Sequence, residues 1–189
     1  MKKFLTILVL GLFLITPSQA DDVKDLEIEG MSIGDSLLDY MDESKMYFKF
    51  LYKDKSFKTT YFDKTKIFDD IQISVKSDDN NYIIHNISAK LYYKKNYNEC
   101  LIKKKEIIKE FKSVISSDIP TQAEDNIKRK SDPTGNSTMS YYAFYFDNGS
   151  MAQVFCTDWS DELFKTKQYI DELKAALYSK EFSSFLDSN

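Results

Sequence analysis

Cys100 and Cys156 are the only cysteines in the chain, and they sit on segments of different periodicity. From Asn96 to Val114 apolar residues recur at helical spacing. Cys100, Ile107, Phe111 and Val114 share one stripe there, while Lys103, Lys105, Lys109 and Lys112 point mostly to solvent. Around Cys156, the runs Tyr141–Phe146 and Met151–Thr157 flank Asp147, Asn148, Gly149 and Ser150. This is a hairpin signal in which Asn148-Gly149 suits a type I′ turn. A bridge between the two cysteines would press a helix against a hairpin, and closing a loop of that length stabilises a fold by about 4 kcal/mol in the chain-entropy model. A redox-active pair would instead need a Cys-x-x-Cys spacing or a cation beside the thiolate. A structural Cys100–Cys156 disulfide is therefore expected.

Oxidation depends on compartment, and the N-terminus speaks to that. Met1, Lys2 and Lys3 precede the apolar run Phe4 to Ile15, which leads through Thr16, Pro17, Ser18 and Gln19 to Ala20, with Asp21 and Asp22 immediately after. A basic start, an apolar core and small residues at the cleavage positions are the pattern of a secretory leader. The run is shorter than the ~20 residues that span a bilayer. Cleavage between Ala20 and Asp21 is expected, leaving residues 21–189 as one domain, periplasmic or secreted, without a transmembrane segment. Loss of Lys2 and Lys3 would take the formal charge from −4 to −6, and Arg129 is the only arginine. Such a chain lacks the basic footprint of a nucleic-acid binder. Its 42% hydrophobic and 15% aromatic content argues against disorder.

Along the chain, Val23 to Glu29 reads as a short strand broken by Gly30. Ile33, Leu37, Leu38 and Met41, behind caps at Ser32 or Asp35, predict a first helix ending near Ser44. The period then changes to two, with Met46, Phe48, Phe50 and Tyr52 on one face of a strand and Lys49 and Lys53 on the other. Strands are also expected at Phe57 to Phe62, Phe68 to Val75 and Tyr82 to Tyr93. Asn96, with Glu99 three residues on, caps the second helix. Residues 116–140 read as a long polar loop. After the hairpin, a final helix is capped by Ser160 and carries Leu163, Ile170, Leu173 and Leu177 as its apolar stripe, and residues 179–189 read as a frayed tail. The fold class is α+β: an antiparallel sheet of about five to six strands with about three helices packed on it, in a single domain.

With a two-residue turn, Phe146 opposes Met151, Phe144 opposes Gln153 and Tyr142 opposes Phe155. Tyr142, Phe144, Phe146, Met151 and Phe155 would then share one face, and Cys156 would look toward the helix. That aromatic face is either covered by another helix or the long loop, or open as a platform for a peptide, a glycan or an envelope protein. His85, the only histidine, lies in register with Ile83, Ile87, Ala89 and Leu91 and reads as a packed core residue. No histidine-rich zinc site, EF-hand order, Gly-x-Ser-x-Gly elbow or glycine-rich phosphate loop is present in the sequence. Accordingly no catalytic residue, metal ligand or cofactor is assigned. Carboxylate-only catalysis needs just two acids at a set separation. The leading expectation is an exported, non-enzymatic binding or envelope-associated module; the alternative is a small carboxylate-dependent hydrolase working near residues 116–140.

Overall fold

The computed structural model describes residues 19–63, 65 and 67–188. Residues 1–18 of the expected leader lie outside these. Ala20 is buried, and its backbone bridges to Ile115 through Ala20 N–H to Val114 O at 2.7 Å and Ser116 N–H to Ala20 O at 3.1 Å. Among the described residues no helix is long and apolar enough to cross a membrane.

The strands β1 (Phe57–Asp63), β2 (Asp70–Lys76) and β3 (Ile84–Tyr93) are successive antiparallel neighbours. Helix α1 (Tyr97–Val114) leads to a second such run, β4 (Thr121–Lys128), β5 (Thr138–Tyr145) and β6 (Met151–Asp158). Helix α2 (Asp161–Lys167), strand β7 (Asp171–Tyr178) and helix α3 (Lys180–Ser188) follow. β7 lies between β3 and β6, so the two runs merge into one seven-stranded antiparallel sheet in the order β1-β2-β3-β7-β6-β5-β4. The result is a single-domain α+β fold with helices on both faces of the sheet.

Alternation along the strands sends Ile71, Ile73, Ile87, Leu173, Ala175, Leu177, Val154 and Cys156 into one large core. Helix α1 and the N-terminal segment cover that face. Asn96 caps α1 as expected, its Oδ1 accepting the Glu99 N–H at 3.4 Å. Cys100 is bonded to Cys156 with a Cα separation of 6.0 Å, so the expected disulfide is present and fixes α1 over β6 and β7. Val114, placed on the inner stripe by its spacing, is exposed; Lys104 lies inside instead, with its Nζ 3.3 Å from Asp125. The other face is covered only in part. Phe182 and Phe185 of α3 pack there on Phe57, Ala176 and Tyr178.

Several expectations are corrected, each because tertiary pairing outweighs local pattern. In place of a helix over residues 33–44 there are two 3-10 turns, Leu37–Asp39 and Glu43–Lys45. Gly34 adopts φ +97°, and the Gly34 N–H to Ile84 O and Ile84 N–H to Asp35 O bonds, at 3.0 and 2.9 Å, tie this segment to the start of β3. The strand expected over residues 46–52 is reduced to one bridge, Lys49 with Thr59. The 116–140 loop contains strand β4, an edge strand exposed along nearly its whole length, hence without apolar alternation. A tight turn then hangs on Asp132, whose carboxylate accepts from the Thr134 and Ser137 N–H groups at 2.7 and 2.8 Å. The final helix stops at Lys167, where Gln168 turns the chain at φ +58°, and Leu173 and Leu177 belong to β7. The tail is helix α3, which buries Phe182 and Phe185.

The hairpin forms, but one residue out of the expected register. Tyr145 pairs with Met151 and Tyr142 with Val154, across a five-residue connection, Phe146 to Ser150. Gly149 alone takes positive φ there, and a Cβ at that position would meet Lys180 Cγ at 3.3 Å.

Urea unfolding tests two of these assignments. The double substitution Cys100→Ser/Cys156→Ser is expected to lower stability by about 4 kcal/mol. Phe182→Ala is expected to lower it by about 3 kcal/mol, whereas an unpacked tail would give no change.

Candidate ligand-binding site

Beyond α3, the second sheet face carries side chains of another kind. Here β3 contributes Lys90 and Tyr92, β7 contributes Glu172 and Lys174, and β6 contributes Phe155 and Thr157. Lys90 and Lys174 are direct partners across the β3–β7 ladder. Like charges placed opposite each other destabilise an antiparallel pair, so ordinary sheet packing does not account for them. Glu172 offsets part of that repulsion, its Oε2 standing 3.2 Å from Lys90 Nζ with both side chains largely buried.

Three connections rise around this charged patch and make a recess of about 580 Å³. The stretch after β4 supplies Arg129, the end of β6 supplies Trp159, and the α2–β7 connection supplies Tyr169. Left-handed Gln168 reverses the chain so that the Tyr169 ring meets the edge of Trp159, with centroids 4.7 Å apart. Arg129 lies over the other side of the recess, its guanidinium carbon 5.3 Å from the Trp159 ring centroid. A cation stacked this way is held by the ring quadrupole.

The hydrogen-bonding needs of these groups are only partly met. Arg129 donates from Nη1 to the Met139 sulfur at 3.1 Å, a weak acceptor, and its Nε is buried with no partner among the described residues. Thr157 Oγ1 and Asp70 Oδ1 are buried and unpaired in the same sense. The other oxygen of Asp70 accepts from the Tyr92 hydroxyl, and burial followed by that bond raises the Tyr92 pKa. Lys174 forms no ion pair among the described residues; its Nζ lies 5.2 Å from the Phe155 ring centroid. Burial, with Lys90 close by, pushes the Lys174 pKa down to about 8. The patch thus holds three cations, Lys90, Lys174 and Arg129, against two carboxylates, Glu172 and Asp70. A buried cation with incomplete pairing favours an incoming anion.

On the far side of Trp159 a smaller recess of about 290 Å³ is lined by Asp158, Asp161 and Asp171 with Lys95. Burial raises the Asp158 and Asp171 pKa values above the usual carboxylate range. Asp171 accepts the Trp159 N–H at 2.9 Å, and Asp161 pairs with Lys95 at 2.5 Å, so both already have structural partners.

The residues expected on one aromatic face are divided between the two sides of the sheet. Tyr142 and Phe144 point to the α1 side, where Phe144 meets Phe111 with ring centroids 6.0 Å apart, and Phe146 is buried in the same core. Met151 and Phe155 lie on the opposite face. His85 is also turned from its expected side, because a bulge pairs Ser74 with Asn86 and Val75 with Ile84. It packs edge-on to Phe57 and bonds Ser179 Oγ at 2.9 Å, and burial lowers its pKa. Sequence reasoning did not find the recess. The one available signal was rarity, since Arg129 and Trp159 are the only residues of their types.

Lys174 carries its charge less readily in the folded than in the unfolded chain. The resulting penalty is present below pH about 8 and fades as pH climbs from there toward the ordinary lysine range, so stability rises over that window. Lys174→Met is expected to flatten this rise and to be more stable than the parent at pH 7, read from urea midpoints at pH 7, 8, 9 and 10. Comparisons with protein-family models, curated proteins and solved structures give no match, so the reading of the recess rests on its own geometry.

Proposed function

We propose that the protein is an exported, non-enzymatic binding module and that the Arg129–Trp159–Tyr169 recess is where it holds a small organic carboxylate with a flat or apolar body. The observation that carries this reading is Arg129, half-buried, stacked on the single tryptophan, and with its buried Nε left without an acceptor among the described residues. Rings on two sides suit the body of such a ligand, while Arg129 and Lys90 of the lining, with Lys174 paired beside Lys90 on β7, suit its charge. In surroundings of low dielectric each charged contact is stronger than in water. The leader-like N-terminus and the disulfide support export, since disulfides persist in oxidising compartments.

A hydrolytic reading has one observation in its favour, the raised carboxyls of Asp158 and Asp171 on one recess. With Asp171 holding the Trp159 backbone, Asp158 is the carboxylate left for proton transfer. Asp158→Asn separates the readings: it leaves ligand affinity unchanged for a binder and abolishes turnover for a hydrolase.

Trp159 reports on binding without a label. Titration with benzoate, glucuronate and N-acetylphenylalanine is expected to change its fluorescence with at least one of the three, and the corresponding neutral amides are expected to have no effect. A sugar acid, an aromatic acid and a peptide terminus are thereby told apart. Arg129→Gln is expected to weaken the bound anion about tenfold or more, the usual scale for a hydrogen bond to a charged group. Affinity is expected to fall as pH rises through about 8 and Lys174 loses its charge, a dependence that Lys174→Met removes. Silence toward all three acids at millimolar concentration would overturn the assignment.

A further inference from the structure

A second surface, separate from the recess, is formed where the chain crosses the open edge of β1. Met46 and Phe48 pack into the core on the α1 side of the sheet, whereas Tyr52 packs into the cluster on the α3 side, its ring centroid 4.7 Å from that of Phe185. Between these anchors the backbone touches β1 at a single bridge, Lys49 with Thr59. The segment is therefore a strap passing from one face to the other over a strand edge. Its anchors account for the burial of Met46, Phe48 and Tyr52. They leave Tyr47, Phe50 and Leu51 outward, at 71%, 52% and 50% exposure.

Lysines are interleaved with these rings. Lys49 Nζ is 5.7 Å from the Tyr47 ring centroid, Lys55 Nζ is 5.8 Å from that of Phe50, and Lys58 Nζ is 4.7 Å from that of Phe48. Lys49, Lys53, Lys55 and Lys58 take part in no ion pair among the described residues. The one carboxylate between Lys49 and Lys58 is Asp54, which accepts from the N–H and hydroxyl of Ser56. This basic, aromatic strap stands out on a chain whose formal charge is negative overall.

We infer that the strap is a docking face for an anionic lipid bilayer, with Tyr47, Phe50 and Leu51 entering the headgroup boundary and the four lysines meeting acidic headgroups. Charge and side-chain type together favour this occupant. The cores of protein–protein interfaces are depleted in lysine, whereas apolar rings ringed by lysine are the pattern of segments that lie at a membrane surface. Exposed aromatic and aliphatic side chains that no packing requires mark a surface that meets something else. The inference is independent of the recess, which is built around β3, β7 and the end of β6 and uses none of these residues.

The test is flotation of the exported chain, residues 21–189, with vesicles of phosphatidylglycerol and of phosphatidylcholine. The protein is expected to float with the first and stay behind with the second, and to be released as salt is raised. Each of Lys49→Ser, Lys53→Ser and Lys55→Ser is expected to weaken binding about fivefold. The triple variant Tyr47→Ser/Phe50→Ser/Leu51→Ser is expected to lose flotation while keeping its melting temperature and its Trp159 response to carboxylates. Failure to float with phosphatidylglycerol overturns the inference, even if the strap captures an acidic protein. Flotation of the triple variant equal to that of the parent overturns it as well. Neither result touches the reading of the recess, which is followed by fluorescence in solution.

Discussion

The insertion of β7 between β3 and β6 is the contact on which everything else rests. Leu173, Ala175 and Leu177 lie beneath α1, and Ala176 and Tyr178 lie beneath α3, so one strand belongs to the cores on both faces. It is paired along its length on both sides, from Asn86–Tyr178 to Tyr93–Asp171 on one flank and from Met151–Tyr178 to Thr157–Glu172 on the other. The same strand brings Glu172 to the recess and sets Lys174 beside Lys90 next to it. Without it the sheet is two separate three-stranded ribbons, and the charged patch keeps only Lys90, Asp70 and Arg129.

How much of this was legible depended on how far each element answers to its own residues. Helix α1 was readable because its cap, its apolar stripe and its wet lysine face agree. The strands β1, β2 and β3 were readable from alternation and polar turns, and the disulfide from a lone cysteine pair. β7 was not, for a physical reason. A central strand buried on both faces shows no alternation, and Asp171 to Tyr178 is composed largely of good helix formers in which Leu173 and Leu177 stand four apart. β4 was missed for the opposite reason, since an exposed edge strand needs no apolar residues at all. The hairpin face failed on a single residue of register, because a five-residue connection shifts the pairing and turns Tyr142 and Phe144 to the side of Cys156 while Met151 and Phe155 stay on the other. The recess is assembled from three separate connections, and nothing in the local sequence of Arg129, Trp159 or Tyr169 announces that they meet.

Charge placement in this protein runs against its stability. Lys90 opposite Lys174, an arginine left with a thioether acceptor, and buried oxygens without donors are all features that packing alone would remove. They occur together on the uncovered part of one sheet face, while the face under α1 is almost wholly apolar. Such conflicts with local rules concentrate where a protein meets a ligand. The disulfide, placed on the apolar side, braces the sheet against them.

The position of β7 near the end of the chain also governs when the sheet can close. β1–β2–β3 and β4–β5–β6 are each built from sequence neighbours and can form as ribbons while the chain is still being made. Each ribbon then presents a raw edge, β3 in one and β6 in the other, and these edges find their shared partner only when residues 171–178 arrive. Synthesis from the N-terminus therefore leaves the sheet open until almost the whole chain has been made, and both faces are completed in one late step.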